Sequence, residues 1–300
     1  LPRIARDQRL TRLIREALRR VPTTHDIYLT DARRMNFLQA SSVHLVVCSP
    51  PYWTLKEYRK SEGQMGAIAG YEDFLDELDA VWRHCYRVLA LGGRLIIVVG
   101  DVCLSRRKNQ GRHTVVPLHA SIQERCRKIG FYNVQGIIWH KIANAAYEVE
   151  NGSSFLGKPY EPNAVIKNDV EYILMQRKAG GYRSPDLATR ILSVVPANEH
   201  KEWFRPIWEG LPGASTKQHP APYPVELAER LIRMFSFVGD TVLDPFLGTG
   251  TTTVAAARTG RNSCGVEVDP HYHRMALDRI EGETHGLFST VVVNRHHRRS

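Results

Sequence analysis

Two stretches of the 300-residue chain combine residue types that could do chemistry. The first is Val242-Leu243-Asp244-Pro245-Phe246-Leu247-Gly248-Thr249-Gly250-Thr251-Thr252. It reads as a strand running into a glycine turn that opens a helix. Glycines let the backbone approach a ligand where a Cβ would clash, and a helix start offers free N–H groups. The spacing is neither the six-residue glycine fingerprint of dinucleotide folds nor the phosphate loop with its lysine, so a pyrophosphate ligand is disfavoured. Glu267 closes the run Cys264-Gly265-Val266-Glu267, 19 residues after Gly248. An acid at such a strand tip can accept both ribose hydroxyls of a nucleoside. The turn alone also fits an ordinary strand–helix connection. Turn and acid together point to an adenosine-containing ligand without a phosphate requirement.

The second stretch is Val46-Val47-Cys48-Ser49-Pro50-Pro51-Tyr52-Trp53. Two prolines after a buried strand fix φ and remove two N–H donors. Carbonyl oxygens, a Ser hydroxyl and an aromatic face remain. That set suits an exocyclic amino group on a flat ring, with its hydrogens going to Ser49 Oγ and the Pro50 carbonyl and Tyr52 stacking on the ring. The bland alternative is a strand-terminating turn whose aromatics pack inward.

Both stretches need a scaffold of strands and helices. Residues 3–20 have helical spacing, with Ile4, Leu10, Leu13, Ile14, Ala17 and Leu18 between arginines. Val43–Cys48 is a buried strand, and Tyr71–Leu91 a helix stopped by Gly92-Gly93. Strand Leu95–Val99, helix His119–Ile129 and strands Val134–Trp139 and Glu171–Gln176 follow. The alternation resumes with helix Pro224–Phe235, strand Thr241–Asp244, helix Thr251–Thr259, strand Cys264–Val268 and helix His271–Ile280. Such alternation implies a mostly parallel sheet covered by helices on both faces. Residues 179–218 break the rhythm with Gly180-Gly181, four prolines and scattered aromatics. They are the best candidate for an inserted recognition segment.

The two motifs together resemble the amino-group DNA methyltransferases that use S-adenosylmethionine. The catalytic motif precedes the cofactor motif, as in the circularly permuted β group. Thr30-Asp31, Ile137–Lys141, Glu171–Leu174 and His219–Pro224 resemble further family segments, so the likeness spans about residues 26–280. The resemblance implies an α/β fold with a Rossmann-like, mostly parallel, seven-stranded methyltransferase sheet and helices on both faces. It implies that Asp244, Phe246, Gly248, Gly250 and Thr251 form the S-adenosylmethionine pocket, that Glu267 holds the ribose and that Asp31 lies near the adenine. Ser49, Pro50, Pro51 and Tyr52 form the target-base pocket. Ser in the first position resembles the cytosine-N4 enzymes, whereas Asp is usual in adenine-N6 enzymes; adenine-N6 methylation stays as the alternative. A non-catalytic nucleic-acid module and methylation of RNA or a small-molecule amine are the more distant readings.

This chemistry needs no metal. Ser49 is an acceptor, not a nucleophile, and Cys48 reads as a strand residue, which argues against cytosine-C5 methylation. The base must be flipped from the duplex, at a cost of about a few kcal/mol. Residues 54–70, with Gly63, Gly66 and Gly70, are the candidate gap-filling or lid loop. Trp53, Lys56, Arg106, Arg107, Lys108 and Arg112 are the candidate DNA contacts.

The net charge of +10 points to an anionic partner, but residues 1–20 carry +5 and residues 285–300 carry +3. Only +2 remains between them. Five cysteines without a C-x-x-C pair argue for reduced thiols, and no apolar run is long enough for a membrane span. The expected organisation is a basic N-terminal helix (1–25), a catalytic half (26–178), a target-recognition insertion (179–218), a cofactor half (219–284) and a basic tail (285–300). The expected partner is double-stranded DNA in the cytoplasm. A homodimer and a separately acting restriction endonuclease are the further partners the family suggests.

Overall fold

The computed structural model describes residues 1–55, 59, 61–141, 166, 168–214, 222–284 and 290–297. Lys56, the side chain of Lys108 and positions 219–221 and 298–300 lie outside the described residues.

In chain order the elements begin with helices α1 (Pro2–Arg6) and α2 (Gln8–Leu18) and strands β1 (Thr23–Leu29) and β2 (Val43–Cys48). Helix α3 (Tyr71–Val88), strands β3 (Leu89–Val99), β4 (Val102–Leu104) and β5 (Thr114–Val116) and helix α4 (Leu118–Ile129) follow. Next come strands β6 (Tyr132–His140) and β7 (Val170–Arg177), helices α5 (Leu187–Leu192) and α6 (Ala197–Trp203) and strand β8 (Ile207–Trp208). The chain continues through α7 (Val225–Phe235), β9 (Thr241–Asp244), α8 (Thr251–Arg258), β10 (Asn262–Glu267), α9 (Pro270–Thr284) and β11 (Val291–His297).

The main sheet runs β11-β1-β10-β9-β2-β3-β7-β6-β8. Its strands from β11 to β3 are parallel; β7 is antiparallel to both β3 and β6. Among the described residues this sheet therefore has nine strands, not seven. The inner seven are extended at the edges by β11 and by the two-residue β8.

Burial explains the long apolar runs. In β3, Leu95, Ile97 and Val99 face the core beneath α3 and α4, while Ile96 and Val98 face the core beneath α7 and α8. In β2, Val46 and Cys48 face the first core and Leu45 and Val47 the second. Strands covered on both faces lose the polar alternation of a half-exposed sheet.

Several elements differ from the sequence reading. The N-terminal helix is broken at Asp7, whose side chain accepts the Leu10 N–H at 3.0 Å and caps α2. Helix α3 ends at Val88, and β3 starts at once; Gly92, at φ +78°, lies inside a register shift of that strand. It is a bulge glycine, not a helix stop. The segment read as a basic tail forms β11, because Val291-Val292-Val293 supplies a β-branched run that pairs with the edge of β1 from Thr23↔Val291 onward.

The charge reading also sharpens. Arg125 of α4 is paired with carboxylates of α3. It bridges Glu72, Asp76 and Asp79 of α3 at 2.6, 2.6 and 3.0 Å. Arg127 pairs with Glu124 at 2.8 Å. Among the described residues, no helix is long and apolar enough to cross a membrane.

Candidate active site

Strands β9 and β2 are neighbours, yet the chain leaves β9 toward β10 on one side and β2 toward β3 on the other. A crevice opens at the carboxyl ends of strands at such a reversal. A cavity lies there, and Asp31, Ser49, Pro51, Phe246, Gly248 and Glu267 line it. Both motifs of the sequence reading thus reach one site from opposite sides of the switch.

Glu267 is buried at the tip of β10. Its Oε2 accepts the Gly248 N–H at 2.8 Å and its Oε1 accepts the Asp269 N–H at 2.9 Å. Burial pushes its carboxyl up to about 7, against the pull of those two amides. Gly248 has φ +54°, a left-handed conformation that favours glycine. Asp31 follows β1; its Oδ1 accepts the Arg33 N–H at 2.9 Å, and the Arg33 guanidinium pairs with its carboxylate.

Asp244, Gly250 and Thr251 were expected among the cofactor contacts, but they do not line the cavity. They build the turn from behind. Asp244 accepts the Phe246 N–H at 2.9 Å and the Tyr223 hydroxyl at 3.1 Å, and also takes the Thr252 hydroxyl. Burial raises its carboxyl to about 6 even so. A Cβ on Gly250, at φ +80°, would stand 3.1 Å from Ile280 of α9. Thr251 accepts the Arg279 Nη1–H at 3.1 Å.

The catalytic motif is divided in the same way. Ser49 and Pro51 line the cavity; Pro50 and Tyr52 are buried away from it. Tyr52 is only 5% exposed, so its ring does not present the stacking face expected of it. Instead its hydroxyl donates to Glu171 Oε2 at 3.2 Å and accepts the Ser49 Oγ–H at 3.3 Å. Glu171 pairs in turn with Lys141 Nζ at 2.7 Å.

The described candidate DNA contacts fall on two elements that touch, the turn at Trp53–Leu55 and the β4–β5 hairpin. Trp53 takes φ +45°, sets its ring edge-on to Tyr71 at 5.0 Å and buries its Nε1 without an acceptor among the described residues. Arg106, Arg107 and Arg112 sit exposed in the β4–β5 hairpin, beyond the site end of β3. The proposed lid loop does something unforeseen. Gly63, Gln64 and Met65 form a wall of the cavity, and Gly63 leaves space for Asp31. Sequence reasoning missed this wall, Tyr272 beside it, and the Tyr223–Asp244 bond. The glycines of the loop and the tyrosine before Pro224 were the available signals.

The inserted segment splits between the two ends of the sheet. Arg183 pairs with Asp240 and the Ser193 hydroxyl accepts the Val238 N–H, so its first part lies at the end opposite the cavity. After β8, Leu211 accepts the Trp139 Nε1–H at 2.8 Å and the chain reaches Lys141 at the site end.

The donor set suits an uncharged nucleoside with a sulfonium side chain. Two carboxylates and a glycine backbone face a cavity that also holds the Phe246 ring, and among the described residues no lysine lines it. Comparisons with known proteins agree. A DNA methylase family model matches residues 43–278. Type II methyltransferase M.MjaI of Methanocaldococcus jannaschii is 38% identical over 288 residues, covering 87% of this chain and 92% of that protein. M.MthZI of Methanothermobacter thermautotrophicus is 35% identical over 295 residues, covering 91% and 81%. The crystal structure of TTHA0409 from Thermus thermophilus, described as a putative DNA modification methylase complexed with S-adenosyl-L-methionine, superposes with a TM-score of 0.75 at 49% identity, covering 92% of this chain and 99% of that one. With the glycine turn and the Ser-Pro-Pro-Tyr motif meeting in one crevice, the chain belongs to the N6/N4 DNA methylase family, the Type II DNA methyltransferases whose methyl donor is S-adenosylmethionine.

Proposed function

We propose that this chain methylates the exocyclic N4 amino group of cytosine in duplex DNA. The observation that carries the reading is Ser49, the first residue of the Ser-Pro-Pro-Tyr motif, on the cavity wall opposite the glycine turn. The chain order, catalytic motif before cofactor turn, supports the permuted β arrangement.

Bound S-adenosylmethionine supplies an electrophilic methyl group. Glu267 would hold its ribose, Asp31 the adenine side, and Phe246 and Gly248 the wall between. The remaining work falls to the target pocket. An aromatic amino group is a weak nucleophile because its lone pair is delocalised into the ring. An acceptor at Ser49 Oγ, on the cavity wall, favours a more tetrahedral nitrogen and stabilises the positive charge that grows on it. Holding the amino nitrogen at reacting distance supplies much of the rest.

The hydroxyl of Ser49 can serve as donor or acceptor. Its bonding partners decide. The Glu171 carboxylate only accepts, so the Tyr52 proton goes there; the Tyr52 oxygen then takes the Ser49 proton. Ser49 is left with lone pairs for an incoming amino group. Cys48 supports the same reading. Its side chain packs into the core beneath α3, and burial pushes its thiol well above the usual range, so it is no nucleophile for a C5 reaction. The nucleoside recovered from methylated DNA tests the proposal: N4-methylcytosine is expected, and N6-methyladenine alone overturns it.

A further inference from the structure

At the end of the sheet opposite the methyl-transfer site lies a second cavity. Four arginines line it, Arg94, Arg177, Arg183 and Arg233, and among the described residues no carboxylate does. Two of them are neutralised from outside it: Arg183 pairs with Asp240, and Arg233 pairs with Glu199 at 2.6 Å. The other two are not. Arg94 and Arg177 stand directly opposite each other in the antiparallel β3–β7 pair. Like charges facing across a ladder are destabilising, and opposed residues of such a pair project to the same face.

The surroundings hold this pair in place rather than letting it splay. The Arg94 guanidinium lies 4.8 Å from the Phe235 ring centroid, half-buried, with no hydrogen-bond acceptor among the described residues. A guanidinium stacked on a ring keeps its N–H donors pointing outward in its own plane. Arg177 is fixed by neutral partners: its Nε donates to the Gly92 carbonyl and its Nη2 to the Gly180 carbonyl, both at 3.2 Å, and Nη1 donates to the Tyr132 hydroxyl. The Tyr182 ring, 90% exposed, lies 4.8 Å from the Arg177 Cζ. Gly92 closes the rim; a Cβ there would stand 2.3 Å from the Gly181 carbonyl oxygen and 3.3 Å from Arg177 Nη2. Burial and the Arg177 charge both lower the Arg94 pKa, the direction an entering anion would reverse.

We propose that this cavity is a phosphate-binding site, with Arg94 and Arg177 as the paired guanidinium ligands. A phosphate oxygen set matches two guanidinium forks better than a point charge does. The site is separate from the methyl-transfer crevice, since His44 at the start of β2 lines it and Ser49 follows the end of the same strand. The phosphate comes either free, as inorganic phosphate or a nucleotide, or from the backbone of DNA.

Isothermal titration with inorganic phosphate, at ionic strength held constant with chloride, tests this on the full chain. Saturable binding is expected, weakened at least tenfold in Arg94→Gln. Arg274→Gln, which removes an exposed charge elsewhere, leaves it unchanged. Thermal melts and S-adenosylmethionine affinity of Arg94→Gln should match the parent chain, which separates loss of a ligand from loss of fold. Should that variant not fold, a parent-chain melt that rises with phosphate but not with chloride carries the test. A second arm identifies the source. If DNA supplies the phosphate, a short duplex displaces inorganic phosphate, and Arg94→Gln raises the KM for DNA and reduces the salt slope by about one unit. If the anion is free, both stay unchanged. Phosphate effects equal to those of chloride, or equal binding by Arg94→Gln and the parent chain, would overturn the proposal.

Discussion

The Glu267 carboxylate accepts the Gly248 amide at 2.8 Å, so the acid at the tip of β10 is tied to the glycine turn that follows β9. Burial holds this carboxyl at about 7, well above an ordinary glutamate. The charged form is the better acceptor for two ribose hydroxyls. S-adenosylmethionine should therefore bind more tightly as pH rises through 7 and level off above it, with about a tenfold fall in Kd between pH 6 and pH 8. Glu267→Gln should bind weakly and lose this component of the pH dependence. Parallel pH curves for the variant and the parent, by calorimetry, would remove Glu267 from the ribose.

Ser49→Ala should lower kcat by about two orders of magnitude, the scale seen for removing one preorganised hydrogen-bonding group. The Kd for S-adenosylmethionine should stay within about twofold of the parent. Glu171→Gln should give a smaller fall, because an amide can donate to Tyr52 and reverse the polarity of the Ser49 hydroxyl. In the Ser49→Ala background it should add little. Additive losses in single-turnover rates would show that the two residues act separately.

Tyr223→Phe tests the support behind the turn. It removes a hydroxyl that donates to buried Asp244 and should cost about 1–3 kcal/mol of stability. The turn loosens with it, so S-adenosylmethionine affinity should fall several-fold while the methylated base stays the same. An unchanged melting temperature would mean that Thr252 and the Phe246 amide suffice for Asp244.

The C-terminal residues should behave as two units. Truncation after His297 removes Arg298 and Arg299 but keeps β11. It should weaken DNA binding at low salt only, with no change in melting temperature or product. Truncation after Thr284 strips β11 from the edge of β1 and should lower the melting temperature by several degrees. Equal melting temperatures for the two truncations would show that β11 contributes nothing to the fold.

The parts legible in the sequence were those set by local pattern. Val43–Cys48 and Thr241–Asp244 have the bounds read from apolar runs alone. The crevice residues Ser49, Gly248 and Glu267 follow from motif spacing. What stayed hidden depends on distant partners. Nothing near Tyr52 announces Glu171, which arrives 119 positions later on an antiparallel strand. Tyr52 therefore looked like an open stacking face when it is a buried support. Val291–Val293 looked like part of a tail because the open edge of β1 is visible only once the sheet is assembled. The loop after Trp53 reads as a gap-filling or lid loop, and its contact with Asp31 through Gly63 in the crevice is visible only in the fold.

The central claim is that Ser49 receives the amino group of cytosine. The most direct measurement is transfer of an isotopically labelled methyl group from S-adenosylmethionine to unmethylated duplex DNA, followed by digestion and mass analysis of the nucleosides. The account predicts label in N4-methylcytosine with the parent chain and a product at least about a hundredfold scarcer with Ser49→Ala. Label confined to N6-methyladenine, or undiminished N4-methylcytosine from Ser49→Ala, would contradict it.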